Sequence, residues 1–178
     1  MAAQPLVDWP EDRHGGEPLL PALEIFMWRL AEAADDESIV SMCMALNAED
    51  PGPLPVPQEQ VRRTLATLRA QPYRGRALVC EVEGYTVGYA LLISCWSNEL
   101  GGEVCIVDEL FVAPRYRGGG LATELFAVLG CSEQSLLPEM PIALALEVNP
   151  SNTRAKALYE RLGFRGCNVA MRRPLRNK

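Results

Sequence analysis

The sequence predicts a mixed α/β domain, a sheet flanked by helices. Three observations carry that reading. Strand-like and helix-like stretches follow one another in the order β-α-α-β-β-β-α-β-α-β along the chain. Glycine-containing turns join the strands in the middle of the chain. The 178 residues, 48% hydrophobic and 22% charged, have the size and composition of one soluble globular domain. A chain of this size buries roughly 70% of its unfolded surface, so it needs neither disulfides nor metals to hold together. Wholesale disorder is excluded.

Residues 1–20 read as a mobile extension, with Pro5, Pro10, Pro18, Gly15 and Gly16 among its acids; residues 21–178 form the predicted domain. A strand is expected over Leu23–Leu30, where Ile25, Met27 and Arg29 alternate with Glu24, Phe26 and Trp28. Residues 35–48 form a helix capped by Asp35 or Asp36, with Ile39, Met42, Cys43 and Leu46 on one face. Pro51, Pro53, Pro55 and Pro57 then impose a loop. A second helix over about 58–70 turns Val61, Leu65 and Leu68 inward. Arg76–Val82 runs through Glu83-Gly84 into Thr86–Trp96, the pattern of a tight hairpin. Asn98–Gly102 is a second turn, and Val104–Val112 is a long apolar strand interrupted by Asp108 and Glu109. After Pro114 a helix places Leu121, Leu125, Phe126 and Leu129 on one side. Pro141–Val148 reads as a buried strand, Ser151–Leu162 as a helix ended by Gly163 at C′, and Val169–Arg173 as a last strand.

Scarcities remove whole classes of function. The only histidine is His14, in the leader, so a Ser-His-Asp or Cys-His apparatus or a histidine-ligated metal is not expected. Lysine occurs only at Lys156 and Lys178, neither after a glycine-rich loop, which excludes a Walker-type phosphate loop. Six widely spaced cysteines (43, 80, 95, 105, 131, 167) with no CxxC point to reduced thiols in a cytoplasmic protein, with no metal. No apolar run approaches the ~20 residues of a membrane span, and no h-region marks a secretory signal. The net charge of −6 is uneven: residues 1–50 carry eleven acids against Arg13 and Arg29, and the remainder carries a small positive excess. That asymmetry fits either a solvated acidic surface or a division between a cationic ligand on one half and an anionic one on the other. No basic patch is interleaved with aromatics, so neither nucleic acid nor membrane is an expected partner.

Two segments carry chemistry. In Val107–Ala122 a strand enters the glycine-rich turn Arg117-Gly118-Gly119-Gly120, which opens a helix. Successive unobstructed N–H groups at a helix N-terminus suit a pyrophosphate, with Arg117 as a charged donor. The alternative is a turn needed only for tight strand-to-helix packing. A Rossmann fingerprint fails because its third glycine is missing (Gly118-x-Gly120-x-x-Thr123). In the second segment, Val148–Phe164, Asn152 and Tyr159 are seven apart and so point along nearly the same line of a helix. By itself Tyr159, beside Leu158 and Leu162, reads more naturally as a core aromatic.

Taken together, Arg117-x-x-Gly120-x-Ala122 after a strand and Asn152-x-x-Ala155-x-x-x-Tyr159-x-x-x-Gly163-Phe164 about 30 residues later resemble the GNAT family of N-acetyltransferases. The motifs lie within about 103–173, and the element order extends the likeness back to about residue 22. The resemblance implies a mostly antiparallel sheet with a V-shaped splay between two parallel central strands, here 104–112 and 142–148. It implies acetyl-CoA in that opening: pantetheine along the backbone of Phe111, Val112 and Ala113, and pyrophosphate on Arg117, Gly118, Gly119, Gly120, Leu121 and Ala122. Asn152 would bond the pantetheine arm, and Tyr159 would stand near the thioester sulfur. The implied reaction is direct transfer of acetyl to an amine, with no covalent enzyme intermediate.

The chemistry then assigns roles. A protonated amine must lose a proton before attack, and the leaving thiolate benefits from gaining one. Tyr159 is the candidate acid, and Asp108 and Glu109 are the candidate bases. As neighbours on a strand they point to opposite faces, and Glu109 is favoured. Glu49 and Asp50 sit where a cationic acceptor would be received, or are solvated loop charges. A small cationic amine (polyamine, aminoglycoside or amino-acid-like) is the first expectation, and protein N-terminal or lysine acetylation the second. A non-catalytic acyl-CoA sensor is the reading from another class. Homodimers are frequent in the family.

Overall fold

The Glu83-Gly84 dipeptide sets the centre of the sheet. Both residues have positive φ, 50° and 79°, as a two-residue type I′ turn requires, and they join β2 (Gly75–Val82) to β3 (Tyr85–Ser97). A turn closed by Gly101 N–H on the Ser97 carbonyl (2.8 Å) leads into β4 (Gly102–Val112). In this computed structural model the described residues are 27–52, 54–131, 136–137 and 139–166. They belong to two units, Met1–Glu147 and Val148–Lys178. The leader, the start of the first strand and Val169–Arg173 lie outside the described residues.

In the first unit, β1 (Met27–Leu30) and β5 (Ala143–Leu146) complete a five-stranded sheet of order β1-β2-β3-β4-β5. Every pair is antiparallel except β4 with β5, which run parallel. That parallel pairing follows from the crossover between the two strands, which contains helix α3 (Leu121–Leu129). Helices α1 (Asp36–Glu49) and α2 (Gln58–Ala70) cover one face. There Ile39, Met42, Cys43, Val61, Leu65 and Leu68 pack against Val79, Tyr89, Leu91 and Phe111. Each large side chain so buried contributes about 1.5–3 kcal/mol. The opposite face carries Trp28 and Cys80, paired across β1 and β2, and the Trp28 indole N–H donates to the Leu121 carbonyl of α3 (2.9 Å).

Three local expectations are revised. Neither Asp35 nor Asp36 caps α1 through its side chain. Asp35 instead turns back to accept the Glu32 N–H (2.8 Å) and to pair with Arg29 (2.8 Å), because a short 3-10 turn at Ala33–Asp35 precedes the helix. Leu46 is only half-buried, and Val40 takes a place in the core. The strand expected over Pro141–Val148 is reduced to Ala143–Leu146 and is half-buried throughout, since β4 alone pairs with it among the described residues.

The second unit contains α4 (Thr153–Arg161), shorter at both ends than the sequence suggests. Asn152 caps it, its side-chain oxygen accepting the Ala155 N–H (3.1 Å). Gly163, at φ 92°, occupies the expected C′ position.

Candidate functional site

The candidate bases and the start of the glycine-rich turn lie along and just beyond the second half of β4. Pairing with β5 extends from Val104–Ala143 to Val107–Leu146, and β4 continues through Asp108–Val112 with β3 as its one strand neighbour among the described residues. The unpartnered edge so left lies where the resemblance placed the opening between the two strands. At the same point the ladder with β3 shifts: Leu92 opposes Val107 while Leu91 opposes Glu109, so Asp108 is the extra residue of a β-bulge. Simple alternation of Asp108 and Glu109 therefore does not apply. The bulge leaves Asp108 exposed and carries Glu109 onto the face covered by α1.

The bulge also selects which backbone groups face the opening. Ala113 N–H donates to the Val87 carbonyl (2.8 Å). Every second residue of an antiparallel strand turns both polar groups to the same neighbour, so Phe111 and Ala113 face β3. Val112 and Leu110 face the edge from which β5 has departed. Of the stretch Phe111–Ala113, Val112 is the one with its backbone directed to the opening, and its carbonyl accepts Arg117 Nε (2.6 Å).

Glu109 is the best-defined side chain of the site. Its Oε2 accepts the Tyr89 hydroxyl (2.8 Å) and lies 3.5 Å from Cys43 Sγ. Asn47, one turn further along α1, donates to the Cys43 carbonyl (2.8 Å) and lies 3.5 Å from the same sulfur. Burial pushes the Glu109 carboxyl above the usual carboxylate range; the Tyr89 and Cys43 hydrogen bonds oppose that rise, and the Asp108 charge adds to it. Burial also pushes the Cys43 thiol up to about 12, with the Glu109 charge contributing. Tyr89 is likewise raised, first by burial. Both keep their protons at neutral pH and act as donors. The sequence places Cys43 on the core face of α1 and gives Tyr89 and Asn47 no functional assignment. The one available signal was Asn47 four residues after Cys43 on a helix face otherwise assigned to the core.

The glycine-rich turn follows. Gly118 and Gly120 adopt φ of 89° and 90°, which side-chain-bearing residues rarely adopt. A Cβ at either position would meet nothing within 4 Å, so the turn is open rather than packed against a neighbour. That weighs against a turn kept glycine-rich for close packing. Arg117 N–H is bonded to the Pro114 carbonyl (3.2 Å). The amides of Gly118, Gly119 and Gly120 have no backbone acceptor among the described residues, and Leu121 and Ala122 are first-turn positions whose amides lack an intrahelical one. Such a cradle fits a pyrophosphate.

Arg117 does more than expected. Its guanidinium pairs with both oxygens of Glu49 at the end of α1 (3.0 and 2.8 Å) and lies over the Phe111 ring, 5.3 Å from its centre. Two residues expected to serve different ligands are thus brought together, and the charge of Glu49 is matched within the protein. Asp50 is the C-cap residue of α1, its N–H bonded to the Leu46 carbonyl (2.8 Å).

In the second unit, Tyr159 lies on α4 with its ring edge-on to Phe164, centres 5.9 Å apart. Asn152 uses its side-chain oxygen to cap the same helix. Among the described residues no group of three or more metal-ligating side chains occurs, and no helix is long and apolar enough to cross a membrane.

A possible acetyltransferase from Clostridium difficile 630 superposes with a TM-score of 0.70 at 22% identity, covering 87% of this chain and 100% of the other. An aminoglycoside N-acetyltransferase in complex with CoA gives 0.64 at 20% identity, covering 89% and 100%. A ribosomal-protein-alanine N-acetyltransferase from Brucella melitensis biovar Abortus 2308 also gives 0.64 at 20%, covering 85% and 100%. These likenesses establish the fold. No curated protein matches the chain in sequence. The model of the acetyltransferase (GNAT) family matches residues 39–164, which spans the sheet from β2 onward and all four helices except the first turn of α1. The chain belongs to the GNAT family of acetyltransferases.

Proposed function

We propose that this protein is an acetyl-CoA-dependent N-acetyltransferase acting on the primary amine of a small cationic acceptor. The observation that carries the donor assignment is the open turn at Gly118–Gly120, set where β5 leaves β4 in a chain of this family. Val112 would pair with the pantetheine arm, Gly118–Ala122 would hold the pyrophosphate, and Asn152 would contact the arm from α4. Acetyl-CoA supplies an acyl group already activated as a thioester.

The chain's own groups manage the protons. An amine is protonated at neutral pH, and Glu109, through Oε1, takes the proton that must leave before the C–N bond can form. Tyr159 gives a proton to the sulfur as the C–S bond breaks. Asp108, exposed on the bulge, is the alternative base. The acidic charge of the first fifty residues that is left after Asp35, Asp36, Glu37 and Glu49 pair with arginines favours a cationic acceptor.

Release of free thiol from acetyl-CoA, measured against polyamines, aminoglycosides, amino acids and peptides with free N-termini, tests this reading. Turnover with a small amine is the expected result. Turnover only with peptides would make the protein a protein N-acetyltransferase, and binding without release would make it a sensor.

A further inference from the structure

Resting on the assignment of Glu109 as the base, we infer that Tyr89 and Cys43 are positioning residues that hold Oε2 of Glu109 and so present Oε1 to the acceptor's proton. The two donors reach one oxygen from separate elements, the Tyr89 hydroxyl from β3 at 2.8 Å and the Cys43 thiol from α1 at 3.5 Å. Oε1 has no hydrogen-bond partner among the described residues, and it is not among the buried unpartnered atoms, so it stays open to solvent. One oxygen is anchored and the other is available. That is the geometry of a base, whereas a structural carboxylate in the core would have both oxygens satisfied.

Tyr89 and Cys43 are both fully buried, so no bulk water replaces their hydrogen bonds when they are removed. The titratable groups facing Glu109 are Tyr89 on β3, Cys43 on α1 and Asp108 on β4 itself. Tyr89 and Cys43 are neutral donors that favour the ionised carboxylate against its burial, and Asp108 acts in the opposite direction. Asn47, held against Cys43 through both its carbonyl and its sulfur, fixes where that thiol sits. Sequence positions 43, 47, 89 and 109 thereby form one polar cluster in an otherwise apolar layer.

A purely structural role is the competing account, because the Tyr89 ring also packs near Phe111, with centres 6.3 Å apart. Tyr89→Phe separates the two, since it keeps the ring and removes only the donor. The experiment is the pH profile of kcat/KM with one amine acceptor, taken for wild type, Tyr89→Phe, Cys43→Ala, Cys43→Ser and Glu109→Gln, with thermal melts confirming the fold. Loss of the Tyr89 donor leaves burial less opposed, so the base must be freed of its proton at higher pH. The acid limb should move up by about one pH unit, within the range for a charge-assisted hydrogen bond, while KM for acetyl-CoA stays unchanged. Cys43→Ala should shift the limb in the same direction by less, and Cys43→Ser, which retains a donor, should restore it. An unmoved acid limb in folded Tyr89→Phe and Cys43→Ala, with Glu109→Gln inactive, would overturn the inference and leave the base assignment standing. Wild-type turnover by Glu109→Gln would overturn the base assignment itself, and this inference with it.

Discussion

Replacing Gly120 by Asp and by Asn isolates the charge that the glycine-rich turn accommodates. Gly120 is the N-cap of α3 at φ 90°, ψ −3°. Asn and Asp tolerate that left-handed conformation better than other side chains, and both are good N-cap residues. A Cβ there meets nothing within 4 Å, so neither substitution creates a clash. The two variants should melt within about 1 kcal/mol of wild type and of each other. They differ in one negative charge placed at the mouth of the proposed pyrophosphate cradle. For a phosphate charge about 6 Å away, an effective dielectric of ~20 to ~40 gives a repulsion of about 1.5–3 kcal/mol. Acetyl-CoA should therefore bind ~10- to ~100-fold more weakly to the Asp variant than to the Asn variant. Calorimetric titration of both at low and at high salt is the assay, and the gap should narrow as salt screens the charges. Equal affinities in two folded variants would refute the reasoning and put the phosphates somewhere other than this turn.

Three further outcomes are expected. Tyr159→Phe should lower kcat by ~10²-fold or more with little change in acetyl-CoA binding; unchanged kcat with a good acceptor would reduce Tyr159 to its packing on Phe164. Glu49→Gln removes the bidentate partner of Arg117, so acetyl-CoA affinity should rise about two- to five-fold at low salt, the scale of a partly exposed ion pair; no change in a calorimetric titration would take Arg117 out of the donor site. Asp35 is held below the usual carboxylate range chiefly by its hydrogen bonds with Arg29, so its stabilisation is present above about pH 4 and is lost as pH falls through its lowered folded value. Asp35→Asn should cost about 2 kcal/mol at neutral pH and flatten the acid limb of the denaturation profile; an unaltered acid limb would mean the ion pair does not contribute there.

The order of the elements from β1 to α4, the hairpin positions and most of the inward faces of α1, α2 and α3 followed from the sequence, because each is encoded by neighbours a few residues apart. Glu83-Gly84 specifies its turn locally, Gly163 ends its helix locally, and Leu121, Leu125 and Leu129 declare a helix face through their spacing. The glycine-rich turn and the Asn152–Phe164 motif were legible for the same reason, and together they were enough to indicate the family. Only the tertiary structure decided what surrounds the proposed acid–base residues. The bulge at Asp108 depends on how β4 aligns with β3, and it alone determines that Glu109 turns beneath α1. Cys43 meets Glu109 at a sequence separation of 66, Tyr89 meets it at 20, and Glu49 meets Arg117 at 68. Local periodicity carries no information about contacts over such separations. They are set by sheet register and helix packing, in which a single shifted residue redirects every side chain that follows.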